Sequence, residues 1–188
     1  MSGIDINFMN QEIEKKMANV GIFVGSSTGA TQEVAELLEE QFEGAELINM
    51  EEDFDDLEQF DDFDVLLIGS STWGQGDPQR DWVDPMMELE SETPDFSGKK
   101  VAFFGAGDQD THGEEFVSAL VKFKKLFTQL GADTEYGYWP TEGYTYKFSA
   151  AEKDGKFIGL AIDKVNQEDL TEERVSAWAG QLKQEMGL

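Results

Sequence analysis

Short, wholly apolar runs ending in glycine recur along the chain: VGIFVG at Val20–Gly25, VLLIG at Val65–Gly69 and VAFFG at Val101–Gly105. Strands buried on both faces of a parallel sheet read this way, because neither face meets water and polar/apolar alternation is lost. Ala45–Asn49 is a weaker strand, and Thr134–Tyr138 and Phe157–Asp163 are two further candidates. Between the strands the period turns helical. Thr31–Phe42 puts Val34, Leu37, Leu38 and Phe42 on one face, Glu114–Leu130 does so with Val117, Leu120, Phe127 and Leu130, and Thr171–Met186 with Val175, Trp178, Leu182 and Met186. Gly131 suits a helix C-terminus and Thr171 an N-cap. Strands and helices alternating at this length predict right-handed crossovers and an α/β fold, a doubly wound parallel sheet with helices on both faces. Two segments fall outside the pattern: a polar leader, Met1–Asn19, and an irregular stretch, Trp139–Lys156, of a length that in compact domains is often functional. Residues 20–188 are expected to form a single domain.

Charge narrows the functions open to such a fold. Of 188 residues, 40 are Asp or Glu and 14 Lys or Arg, a formal net charge of −26. Nucleic acid and anionic membranes are disfavoured as partners, since both need clustered cations. Basic partners are favoured. With 39% apolar residues and 14 Phe the chain still has core material. There is no cysteine and one histidine, His112, so no disulfide, thiolate or multi-histidine metal site is expected. No apolar run approaches ~18 residues and the opening segment lacks a signal-peptide core, so the expectation is a soluble, cytoplasmic protein.

Ligands of doubly wound sheets bind beyond the carboxyl ends of the strands. After the first strand comes Ser26-Ser27-Thr28-Gly29-Ala30-Thr31, with four hydroxyls and a glycine opening a helix. It lacks the lysine of the nucleotide phosphate loop and suits a monophosphate held without magnesium; alternatively its hydroxyls merely cap a turn. The second loop, Ser70–Pro78, carries Ser71, Thr72, Trp73, Gly74, Gln75 and Gly76. Trp73 either lies flat on a planar heterocycle or packs into the core. In the third, Ala106, Gly107 and Asp108 either meet the edge of a ring or form an ordinary turn, and His112 follows.

Taken together, GSSTGAT at Gly25–Thr31, STWGQG at Ser71–Gly76, FFGAGDQ at Phe103–Gln109, TEGY at Thr141–Tyr144 and GKFIGLAID at Gly155–Asp163 resemble the long-chain flavodoxins. The resemblance runs from Asn19 to Leu188 and implies a five-stranded sheet of order 2-1-3-4-5, its last strand split by the Trp139–Lys156 insertion. It implies non-covalent FMN, with the phosphate on Ser26–Thr31, one edge and face of the flavin on Thr72–Gly76 and the pyrimidine edge at Ala106–Asp108. His112 stands where the family has a flavin-stacking tyrosine, and Glu115 where it has asparagine, so His112 is expected only as a flavin neighbour.

The implied function is a low-potential one-electron carrier, a monomer with no catalytic residues and no metal. Its expected partners are basic-patched redox proteins (a flavodoxin or ferredoxin reductase, iron–sulfur acceptors) in transient complexes. The run Glu51–Asp64, with 9 carboxylates in 14 residues, is either a docking surface for them or a solvated face. An FMN-dependent NAD(P)H:quinone reductase is the alternative.

Overall fold

A computed structural model describes residues 17–188; residues 1–16 of the polar leader lie outside the described residues. The central sheet contains β1 (Val20–Gly25), β2 (Glu46–Asn49), β3 (Val65–Ser70), β6 (Lys100–Gly107) and β10 (Leu160–Asp163), all parallel, in the order β2-β1-β3-β6-β10. Side chains alternate faces along each strand. Phe23, Leu66, Ile68, Val101 and Phe103 enter one core, and Ile22, Val24, Val65, Leu67, Ala102 and Phe104 the other. Because both faces are buried, the strands read as unbroken apolar runs.

Helices α1 (Ala30–Gln41) and α4 (Thr171–Met186) cover one face with Val34, Leu38, Val175 and Trp178. On the other face lie α2 (Val83–Glu92) and α3 (Leu120–Gln129), over a phenylalanine-rich core. A 3-10 turn at Leu57–Asp62 joins them there; it sits inside the acidic run, buries Leu57 and Phe60 and leaves the carboxylates outside. Asp56 caps it, accepting from Glu58 N at 2.9 Å.

Several sequence expectations are corrected. Thr134–Tyr138 is not a strand; after an isolated bridge between Lys100 and Asp133 the chain leaves the sheet, and the place beside β6 is taken by β10. The helix expected over Glu114–Leu130 begins only at Leu120, because 108–119 wraps the carboxyl end of the sheet, with Val117 at φ 50. Thr171 is the first residue of α4 rather than its cap, and its buried Oγ1 has no partner among the described residues. Helix α2 was not expected at all. Trp139–Lys156 is structured: β7 (Trp139–Pro140), β8 (Glu152–Lys153) and β9 (Lys156–Phe157) form a small antiparallel sheet before the chain enters β10, so an insertion does split the last strand. A hairpin of β4 (Thr72–Trp73) and β5 (Asp77–Pro78) follows β3.

No described helix is long and apolar enough to cross a membrane.

Candidate functional site

The carboxyl ends of β1, β3 and β6 point the same way, and the loops leaving them surround a cavity of about 770 Å³. Thr28 and Ala30 line it from the first loop, Ser71, Thr72, Trp73, Gly74 and Gln75 from the second, and Ala106, Gly107, Asp108 and His112 from the third. Ser26, Ser27, Gly29, Thr31 and Gly76 do not line it. The hairpin after β3 exposes Trp73 by 48%, so its ring is not core material. Its Nε1 donates to Ser71 Oγ at 2.9 Å, which fixes the indole across the mouth. Gly74 has φ 54, a conformation that a side chain would strain.

The first loop ends in an uncapped helix. Gly29, at the N-cap of α1, has φ 91 and supplies no side-chain acceptor. Its N–H is taken by Ser26 Oγ at 3.2 Å. The first N–H groups of a helix have no intrahelical acceptor, and Ala30, the first residue of α1, lies on the cavity lining, at the positive end of the helix dipole. Thr31 Oγ1, in the same turn, is buried without a partner among the described residues. Free N–H donors at a helix N-terminus beside a cavity fit a phosphate group.

The loops are tied to one another by residues that the motif reading missed. Gln79 is fully buried, donates from Nε2 to Ser27 Oγ at 3.0 Å and from its backbone N to Ser70 Oγ at 2.9 Å, and so joins the first loop to the second. Trp82 Nε1 donates to Gly69 O at 2.9 Å and closes the floor. Ala119 N donates to Thr72 Oγ1 at 3.1 Å and joins the second loop to the third.

Asp163, buried at the end of β10, accepts from Gln109 N at 3.3 Å and from Val165 N and Asn166 N at 3.0 and 2.9 Å. Asn166 Nδ2 bridges Asp163 Oδ2 and Asp108 Oδ1, each at 2.9 Å. Asp108 Oδ1 also accepts from Thr111 N and Asp110 N. These bonds, the Thr111 backbone one foremost, hold the Asp108 carboxyl down at about 2. One oxygen of Asp108 is therefore a staple of its own loop. The signal for this network was present as Asp163-x-x-Asn166 directly after an apolar strand, an Asx-turn pattern; nothing in the local sequence marked Gln79.

Charged groups also reach the cavity. Glu114, Glu115, Lys147 and Lys164 line it, and Lys147 pairs with Glu114 at 3.4 Å in an exposed bridge of little energetic weight. Lys164 Nζ lies 2.7 Å from Glu33 Oε2 and 3.4 Å from Glu168 Oε1, and the Glu33 hydrogen bond foremost raises its pKa.

Comparison with known proteins places this architecture. The family model described as Flavodoxin matches residues 22–178. Flavodoxin 1 of Azotobacter vinelandii is 52% identical over 171 residues, covering 90% of this chain and 98% of that protein. A flavodoxin of Picosynechococcus is 44% identical over 176 residues, covering 92% and 100%. The crystal structure of a Fusobacterium nucleatum flavodoxin bound to flavin mononucleotide superposes with a TM-score of 0.81 at 28% identity, covering 90% of this chain and 99% of that one.

Proposed function

This chain belongs to the flavodoxin family, and on that premise we propose that it is an electron carrier working through FMN bound non-covalently in the three-loop cavity. The observation that carries the assignment is the convergence of an uncapped helix N-terminus, with Thr28 and Ala30 on the lining, and a tryptophan-edged opening on one cavity of about 770 Å³. FMN supplies the redox chemistry, taking up and returning electrons one at a time.

The protein's part is to bind, orient and set charge. Ser26, Ser27, Thr28, Gly29, Ala30 and Thr31 would hold the phosphate through hydroxyls, N–H donors and the helix dipole. Ser71, Thr72, Trp73, Gly74, Gln75 and Gly76 would hold one side of the flavin, and Ala106, Gly107 and Asp108 its polar edge, with His112 beside it. The carboxylates of Asp108, Glu114 and Glu115 on the wall oppose added negative charge. Two unit charges ~10 Å apart at an effective dielectric of ~20 repel by ~1.7 kcal/mol before screening. The sign of the net charge, −26, acts in the same direction and supports a low-potential donor.

A catalytic role is not favoured: the relatives are flavodoxins, and Trp73 and His112 at the cavity mouth leave little room for a nicotinamide over the ring. As an electron carrier the protein meets redox partners. We infer that these present basic patches, as a reductase or an iron–sulfur acceptor would, and that they dock transiently on a cytoplasmic monomer. Residues 20–188 would form its single FMN-binding domain and residues 1–19 an N-terminal extension.

The test is an absorption spectrum of the purified protein, followed through photoreduction and through titration of the apoprotein with FMN. A flavin spectrum that titrates to one FMN per chain supports the reading. A colourless protein that ignores added FMN refutes it. Electron transfer to a basic partner should slow steeply with added salt.

A further inference from the structure

The first loop contains no cation, but the fold brings one to it from the far edge of the sheet. Lys164 directly follows β10, and its side chain is only 16% exposed. With Thr28 and Ala30 of the first loop it lines the same cavity. Its ammonium is fixed 2.7 Å from Glu33, in the first turn of α1, with Glu168 behind it at 3.4 Å. Glu33 lies one turn beyond Gly29, at the helix end whose donors have no side-chain cap. A carboxylate there complements the helix dipole by itself but repels a phosphate brought to the same donors. A cation locked against it reduces that repulsion, although Glu168 draws on the same ammonium.

We propose that Lys164 is the charge partner of the phosphate loop: held against Glu33, its ammonium makes the site select FMN over the same flavin lacking phosphate. This rests on the assignment of the cavity to FMN. The rival role is a mechanical clamp joining α1 to the turn after β10. The two differ in sign at Glu33, because a clamp needs both partners whereas a charge device is strengthened by losing the carboxylate.

The experiment titrates apoprotein with FMN and with riboflavin at low ionic strength, reading quenching of flavin fluorescence, for the unsubstituted chain and for Lys164→Met, Lys164→Arg and Glu33→Gln. Lys164→Met should weaken FMN about tenfold relative to riboflavin, a gap that closes in high salt. Lys164→Arg should retain the preference, and Glu33→Gln should tighten FMN while leaving riboflavin unchanged. Equal losses for both flavins in Lys164→Met, no loss at all, or a Glu33→Gln variant that weakens FMN would each overturn the proposal and leave the FMN assignment standing. An unsubstituted apoprotein that binds neither flavin overturns both.

Discussion

Thr31→Val separates what the phosphate loop costs the fold from what it gives to binding. Valine has nearly the shape of threonine and lacks only the hydroxyl, and Thr31 Oγ1 is buried with no partner. A buried polar group without a hydrogen bond costs ~1–3 kcal/mol, so replacing it with a methyl should leave the apoprotein unharmed or more stable by about 1 kcal/mol. If the hydroxyl donates to a phosphate in the complex, that charged hydrogen bond is worth ~1.5–3 kcal/mol, or roughly ten- to 150-fold in affinity. The variant should therefore be a better apoprotein and a poorer binder. Urea unfolding of the apoprotein gives the first quantity and fluorescence titration with FMN the second, with riboflavin as the ligand that should not notice. An apoprotein destabilised by more than about 1 kcal/mol would mean that the hydroxyl has a structural partner. Unchanged FMN affinity would mean that the phosphate lies elsewhere. Either result refutes the reasoning.

Other outcomes follow from the same network. Asp163→Asn removes one acceptor face from the buried cluster of Gln109 N, Val165 N, Asn166 N and Asn166 Nδ2, and should cost ~2–3 kcal/mol in urea unfolding as well as FMN affinity; an unchanged midpoint would show the cluster to be slack. The Asp108 carboxyl is lowered from 3.8 to about 2, chiefly by the Thr111 backbone bond, so its stapling of the third loop is complete above pH 4 and lost as the pH falls toward 2. Acid release of FMN should therefore contain a component in that window that disappears in Asp108→Asn, and superimposable release curves would dismiss it.

What could be read in the sequence follows from how strongly each segment is constrained. The three central strands are sandwiched between helices, so the runs are apolar, and the glycines that close them still belong to the strands, where Gly69 meets Phe104 and Gly105 meets Ser70 O closely. Helix α2 escaped notice because little of it is buried: Val83 and Met87 face solvent and only Pro85 and Leu89 are interior. Thr134–Tyr138 alternates like a strand, but it follows the last residue that can pair at that edge, and its contacts are side-chain bonds such as Lys124 Nζ to Thr134 O at 2.7 Å. The long helix pattern over Glu114–Leu130 failed at its first half because Phe116 and Val117 are apolar for the cavity wall and the insertion rather than for a helix face. The site loops were legible as composition; the bonds between them were not. Gln79 and Lys164 act on residues 52 positions before and 131 positions before their own (Ser27 and Glu33), and no local pattern encodes such a pairing.

The dependence of the third loop on Asp163 and Asn166 has a temporal side. Both residues arrive with the edge strand, after nearly all of the chain has been synthesised. Strands β1, β2, β3 and β6 and the first two loops all precede β10 in the chain, and until β10 docks the third loop lacks its bonds to Asp163 and Asn166. The pocket is thus completed only once the edge strand and the turn after it are in place, and flavin colour becomes a record of that docking: products truncated before β10 should stay colourless even where most of the sheet has formed.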